Sequence, residues 1–237
     1  MAEWGEIFAA PKMQELQPNP EFLALLPELR LAGCQQVLDA GCGVGRQLVP
    51  LAREGFQVVG VDREASVLRV LKGRLQAAAL SAPLLLADLR RLPVATGCFD
   101  LGVSINVINH GDAAAFREYC RELDRVLKVG AHLFIYVSPL TFAARVMLPG
   151  TRRLEPGTLV DIATPDGKMV HHFPTPQELK GQFPGYEVRR LETIQAAIPF
   201  MGNVEMDQLI FYGRKNSRLD LKLLRTGETP VPPANKA

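Results

Sequence analysis

The sequence predicts an α/β domain: a seven-stranded, mostly parallel sheet with helices on both faces and a small insertion after the fifth strand. Three observations predict it. Short apolar runs alternate with helix-period segments from Val37 onward, the first run leads straight into a glycine cluster, and the alternation breaks after Val137 into a proline-rich stretch before two last apolar runs.

With 237 residues, 47% of them hydrophobic, the chain is long enough for one full three-layer core. We place that domain at 33–214, the insertion at 138–173, an N-terminal lead-in at 1–32 and a polar, flexible tail at 215–237. A formal charge of +2, from 27 basic and 25 acidic residues mixed along the chain, gives no extended basic face and so disfavours a nucleic-acid partner. Cys34, Cys42, Cys98 and Cys120 have neither zinc-site spacing nor a disulfide framework, which predicts a reduced, cytoplasmic protein. Glu3, Glu6 and Pro11 are incompatible with a basic-then-apolar leader, and no apolar run reaches membrane-spanning length.

In the lead-in, Trp4, Ile7 and Phe8 form a small apolar face that could serve as a lid or simply as a core cover. Strands are predicted at Gln36–Asp39, Gln57–Val61, Leu84–Ala87, Phe99–Ser104 and His132–Val137. The helix at Glu64–Ala79 places Val67, Leu68, Val70, Leu71 and Leu75 on one face, and that at Ala113–Leu127 does the same with Phe116, Leu123, Val126 and Leu127. The insertion lacks a helix-length pattern, but Asp166-Gly167 lies between Leu159–Ala163 and Met169–Phe173 as in a hairpin. A helix at Thr175–Gln182 then leads to strands at Tyr186–Glu192 and Gln208–Tyr212.

The segment Val37-Leu38-Asp39-Ala40-Gly41-Cys42-Gly43-Val44-Gly45-Arg46 carries the most chemistry. Its glycines permit positive φ and let a ligand approach the backbone and the following helix N-terminus. A dinucleotide turn needs a third glycine where Arg46 stands, and Asp39 would repel a pyrophosphate but attract a ligand ammonium. Asp62, at the end of Val58-Val59-Gly60-Val61-Asp62 and followed by Arg63, can accept from both hydroxyls of a ribose. Asp88, in Ala87-Asp88-Leu89, can accept an exocyclic amine while backbone groups meet the ring nitrogens of adenine.

Taken in this order, the three segments resemble class I S-adenosylmethionine-dependent methyltransferases, well over about residues 34–137 and in outline elsewhere. The glycine motif is Asp39-Ala40-Gly41-Cys42-Gly43-Val44-Gly45, the ribose motif Gly60-Val61-Asp62, and Ala87–Pro93 is followed by Gly97–Ser104 leading into the fourth strand. The resemblance implies a Rossmann-like fold and S-adenosylmethionine as cofactor, leaving as S-adenosylhomocysteine. It implies that Asp39, Gly41 and Gly43 lie against the methionine part, Asp62 and Arg63 at the ribose, Asp88 and Leu89 at the adenine, and Asn106 under the sulfur.

Methyl transfer from a sulfonium is an in-line displacement that needs alignment and exclusion of water more than a protein nucleophile. A hydroxyl or ammonium acceptor also needs a base, for which His110, His171 and His172 are the candidates. Adjacent strand residues face opposite sides, so at most one of His171 and His172 enters the pocket; His110 and His172 are taken as the candidate catalytic pair. Each also has a plain reading as a hydrogen-bonded packing residue. Arg152-Arg153 could hold an acceptor anion and Tyr136 could hydrogen-bond an acceptor, although a solvated loop and a packed strand tyrosine account for them equally well. No metal is expected, because no acid or third ligand has suitable spacing along the chain.

The fourth-strand exit, Ser104-Ile105-Asn106-Val107-Ile108-Asn109-His110, lacks the Pro-Pro-aromatic signature of amino-group methylation, and the chain has no Pro-Cys pair for the covalent cytosine route. A small-molecule acceptor is the leading reading. Its alternatives are a tRNA wobble-uridine carboxylate methyltransferase, a non-catalytic S-adenosylmethionine-binding regulator, and an NAD-dependent oxidoreductase, the last disfavoured by Asp39 and Arg46.

Overall fold

The computed structural model describes Ile7, residues 17–198 and residues 201–216. The expectations for Trp4 and Phe8 and for nearly all of the tail lie outside these residues.

Two short helices, α1 (Pro20–Leu23) and α2 (Leu26–Leu31), precede β1 (Gln36–Ala40). Then come α3 (Leu48–Arg53), β2 (Gln57–Asp62), α4 (Ala65–Ala77), β3 (Leu84–Leu86), β4 (Phe99–Ile105), α5 (Ala113–Val126) and β5 (Leu127–Val137). The insertion contains α6 (Leu140–Val146), β6 (Arg152–Glu155), β7 (Thr158–Val160) and β8 (His171–His172). The chain closes with α7 (Pro176–Gly181), β9 (Tyr186–Ile198) and β10 (Val204–Lys215). Polar side chains start the helices where the pattern changes. Asn19, Asp112 and Thr175 accept from the backbone N–H groups of Phe22, Ala115 and Glu178 at 3.0, 2.8 and 3.1 Å.

The seven-stranded sheet runs β3-β2-β1-β4-β5-β10-β9, with β10 antiparallel to both neighbours and the other pairs parallel. Alternation along β5 divides the core between the two faces. Leu133 and Ile135 pack with Phe116 and Leu123 of α5 and Phe183 after α7, whereas Phe134 packs with Phe22, Leu48 and Leu71. The strand order reverses between β1 and β4, so the connections leaving these two strands diverge and open a crevice at their carboxyl ends.

The predicted sheet is present, but β5 starts at Leu127 instead of His132, taking over the last residue of the predicted helix, Val70 of α4 is exposed instead of core-facing, and the larger differences lie at the carboxyl edge. β9 and β10 are much longer than predicted because they run past the sheet: Ile198 and Met206 join Phe142, Val146, Leu159, Ile162 and Phe173 in a small core under the insertion. That core also explains α6, a helix of seven residues where no helix was predicted; its buried face is only Phe142, Ala143 and Val146, too short to register as periodicity. The expected hairpin forms but pairs only at its base, Thr158 with His172 and Leu159 with His171. An unpredicted hairpin, β6–β7, turns at Pro156-Gly157.

Candidate active site

The crevice is a cleft of about 550 Å³ lined by Gly41, Asp62, Arg63, Ala87, Asp88, Leu89, Asn106, Val107, His110 and Tyr119. Of the glycine turn, Gly41 lines it, while Gly43 lies outside the lining and donates its N–H to Asp62. The N–H groups of Gly41 and Cys42 donate to the Val61 carbonyl at 2.8 and 2.9 Å, tying the glycine turn to the end of β2. Gly41 has φ +78°, and a Cβ there would run into the Val107 side chain, so this turn both needs and can only fit glycine. Asn106 has φ +55°, an uncommon conformation for a residue with a side chain and one that concentrates at functional sites.

The three acids differ in their surroundings. Asp62 accepts from the backbone N–H groups of Gly43 (2.9 Å) and Glu64 (3.0 Å) while still facing the cleft. Asp88 accepts the Arg90 guanidinium at 2.7 Å, and this contact holds its carboxyl below the ordinary range. Asp39 does not line the cleft. It lies behind the glycine turn, only 3% exposed, with its Oδ2 lacking a hydrogen-bond partner among the described residues. Burial, and secondarily the charge of Asp62, push its carboxyl up to about 7.

A second chamber of about 400 Å³ adjoins the cleft and shares Asn106 and His110 with it. The insertion supplies Ser138, Phe142, Ile162, Thr164, Asp166, His171 and Phe173, while Ile198 and Gln208 come from the long strands β9 and β10. Asn106 Oδ1, Asn109 Oδ1, Thr164 Oγ1 and Gln208 Oε1 are buried around it without partners among the described residues. Buried polar atoms are almost always satisfied, so four at one chamber mark a place for a polar ligand.

Spacing along the chain predicts no ligand set, yet the fold brings Asp166 between two histidines. Its Oδ2 lies 3.1 Å from His110 Nε2 and 3.0 Å from His171 Nε2. β8 carries His171 to the loop after β4, where it bridges His110. Asp166 in the hairpin turn was overlooked because its partners are 56 residues upstream and 5 downstream; only the hairpin prediction hinted at it.

His172 takes the opposite side, as strand alternation requires, and reaches neither cavity. Its ring bonds Thr158 Oγ1 at 2.9 Å and Glu178 Oε1 at 3.0 Å and packs on Phe116, fastening the insertion to α7. The candidate catalytic pair is therefore not brought together. Tyr136 is packed in the core, and Arg152 is an exposed partner of Asp161 at 3.1 Å; neither faces the chamber.

A methyltransferase-domain family model matches residues 37–130. The malonyl-[acyl-carrier protein] O-methyltransferase of Legionella pneumophila is 35% identical over 111 residues, 46% of this chain and 38% of that one. A ubiquinone biosynthesis O-methyltransferase of Methylocella silvestris is 31% identical over 91 residues, 38% of this chain and 36% of that one. The chain thus spans less than half the length of these curated relatives. A solved S-adenosylmethionine-dependent methyltransferase from Methanosarcina mazei superposes with a TM-score of 0.68 at 20% identity, covering 85% of this chain and 99% of that one. Magnesium protoporphyrin IX methyltransferase from Synechocystis with bound S-adenosylmethionine gives 0.58 at 15%, covering 91% and 86%.

The cofactor implied by these matches is S-adenosylmethionine, and the residues present suit it: a turn only glycine fits, two cleft carboxylates and a third behind them with one oxygen unpartnered among the described residues favour an elongated cationic nucleoside. Residues 37–130 thus match a methyltransferase-domain family, and the strand order and overall fold are those of solved S-adenosylmethionine-dependent methyltransferases.

Proposed function

We propose that the protein transfers the methyl group of S-adenosylmethionine to a small-molecule acceptor bound in the second chamber. The observation that carries this reading is that the two cavities meet at Asn106 and His110, so a ligand in each would touch at that junction. When bound, the donor supplies an electrophilic methyl on a good leaving group, and the protein's task is to align and to exclude water.

Asp62, beside Arg63, accepts from the ribose hydroxyls, with its other lone pairs committed to Gly43 and Glu64 so that the carboxylate is fixed in place. Asp88 and Leu89 hold the adenine end. Gly41 and Gly43 give the methionine portion close access to backbone, and Asp39 contributes a negative field from behind the turn. Asn106, held in its unusual conformation with its N–H on the Tyr136 carbonyl at 2.7 Å, marks the methyl-bearing end. In the chamber, Asn109, Thr164 and Gln208 offer hydrogen bonds to a polar acceptor, with Phe142, Ile162 and Phe173 as its apolar walls. The His110–Asp166–His171 cluster lines the same chamber and supplies the base that a hydroxyl or ammonium acceptor needs to give up its proton.

A chamber walled by the buried side chains of Asn109, Phe142, His171, Phe173 and Gln208 suits a small acceptor better than a tRNA loop, and its unpartnered polar groups favour turnover over donor binding alone. The test is S-adenosylhomocysteine release from the purified protein against panels of phenols, enols, carboxylic acids and amines, with calorimetry for donor binding. Donor binding together with acceptor-dependent product release supports the proposal. Tight donor binding without release on any panel or on metabolite extract refutes catalysis and leaves a binding protein.

A further inference from the structure

We propose that His110, Asp166 and His171 form a binding site for one divalent transition-metal ion at the edge of the acceptor chamber. The argument rests on where the protons must be. His110 Nδ1 lies 2.9 Å from the Val107 carbonyl and His171 Nδ1 lies 2.9 Å from the Met169 carbonyl. A carbonyl only accepts, so each Nδ1 carries the hydrogen and donates it. In the neutral ring each Nε2 then presents a lone pair, and both lone pairs face Asp166 Oδ2 at 3.1 and 3.0 Å. Three electron-rich atoms aimed at one point repel one another unless something positive sits among them.

Two protons or one metal ion would satisfy that demand. The proton solution makes both imidazoles cationic with ring centres 5.1 Å apart, in side chains only 14% and 3% exposed, against a single carboxylate. A metal ion needs no such charge. For bonds of about 2.1 Å, ligand atoms at right angles lie about 3.0 Å apart and tetrahedral ones about 3.4 Å, which brackets the observed separations closely enough for small adjustment. The Nδ1–carbonyl contacts are the outer partners that orient metal-bound histidines. Two imidazoles and one carboxylate favour zinc, manganese, iron, cobalt or nickel over magnesium or calcium, which prefer all-oxygen sets.

The three ligands come from the loop after β4, the hairpin turn and β8, so the ion would also clamp the insertion against the donor side. All three line the acceptor chamber, which leaves the remaining coordination positions to water or an acceptor oxygen from that side. An oxygen so bound would ionise at lower pH, and this role rests on the proposed function; metal binding itself does not.

Tag-free protein stripped with chelator and titrated with Co²⁺ should develop visible d–d absorption saturating at one ion per chain, with Zn²⁺ displacing it. Asp166→Asn and His171→Gln should each weaken Co²⁺ binding at least 100-fold. Asp166→Asn should leave S-adenosylmethionine affinity within about twofold, since Asp166 does not line the donor cleft. If a variant fails to fold by circular dichroism, the wild-type titration decides alone. Folded, donor-binding wild type with neither a Co²⁺ band nor Zn²⁺ heat overturns the metal site while sparing the methyltransferase reading. Loss of donor binding with Co²⁺ binding intact does the reverse.

Discussion

Replacing Asp39 by Asn should raise the stability of the ligand-free protein at neutral and alkaline pH while weakening the donor. The wild-type carboxyl moves from 3.8 to about 7 on folding because the folded chain buries it, with Asp62 adding repulsion. A folded-state pKa above the unfolded value means the native state holds the proton longer. Stability is therefore undiminished below about pH 4, falls as pH rises toward 7, and is flat beyond. A shift of about three units corresponds to roughly 4 kcal/mol at full ionisation, of which about 3 kcal/mol lies between pH 4.5 and 8. Asparagine has nearly the same shape but does not titrate, so the variant lacks this slope. An unsatisfied amide could offset the gain by about 1–3 kcal/mol at every pH, which makes the slope and not the absolute difference the diagnostic. Urea unfolding of both proteins at half-unit pH steps, without ligand, measures it. Binding a cationic donor should draw the Asp39 carboxyl back toward ionisation and release a proton near pH 6.5 in wild type only, read by calorimetry in buffers of different ionisation enthalpy. Parallel stability profiles would refute the buried-carboxylate account, and equal proton release would refute its link to the donor.

Three further outcomes follow from the site. Gly41→Ala should abolish measurable S-adenosylmethionine binding by calorimetry, because φ +78° and the Val107 side chain both reject a Cβ. Asp62→Ala should weaken the donor by about 1–3 kcal/mol, roughly 5- to 150-fold in Kd, because it removes a charged acceptor and frees the Gly43 N–H; unchanged affinity would contradict its role. His172→Gln should lower the thermal midpoint and cost about 1–3 kcal/mol of stability through Thr158 and Glu178, yet leave donor Kd unaltered, since the ring reaches neither cavity.

The parallel half of the sheet was legible because its signals are local. Val37-Leu38 and Val58-Val59 are apolar runs capped by Asp39 and Asp62, and α4 and α5 show one-sided periodicity over 13 and 14 residues. Where an element owed its form to distant contacts, the signal failed. β9 and β10 continue past their apolar stretches only because Ile198 and Met206 meet Phe142 and Phe173 from the insertion. The family resemblance singled out Gly41, Asp62, Arg63, Asp88, Leu89 and Asn106, and the fold gathers these six around one cleft, whereas Gly43 does not line it. Asp39 was located as well, but its burial behind the turn, and hence its proton affinity, depends on Leu48 and Asp62, which sequence spacing does not bring into contact.

The histidines show why the acceptor side resists sequence reading. His171-His172 was correctly split between two faces by strand alternation, but alternation does not say which face is which. That choice was made by Phe116 and Glu178 on one side and by the loop after β4 on the other: His172 fits over the Phe116 ring and reaches α7, which leaves His171 to bridge His110. Once β8 has docked in that register, the turn ten residues long that joins it to β7 must bring Asp166 back over both imidazoles, with Ile162 N–H on the Gly167 carbonyl at 3.1 Å fixing the bend. A cation held there, whether proton or metal, therefore stabilises the docked register itself. The insertion's packing and the charge state of the acceptor chamber are one coupled equilibrium, and an acceptor or ion that binds the cluster should protect the β7–β8 amides from hydrogen exchange.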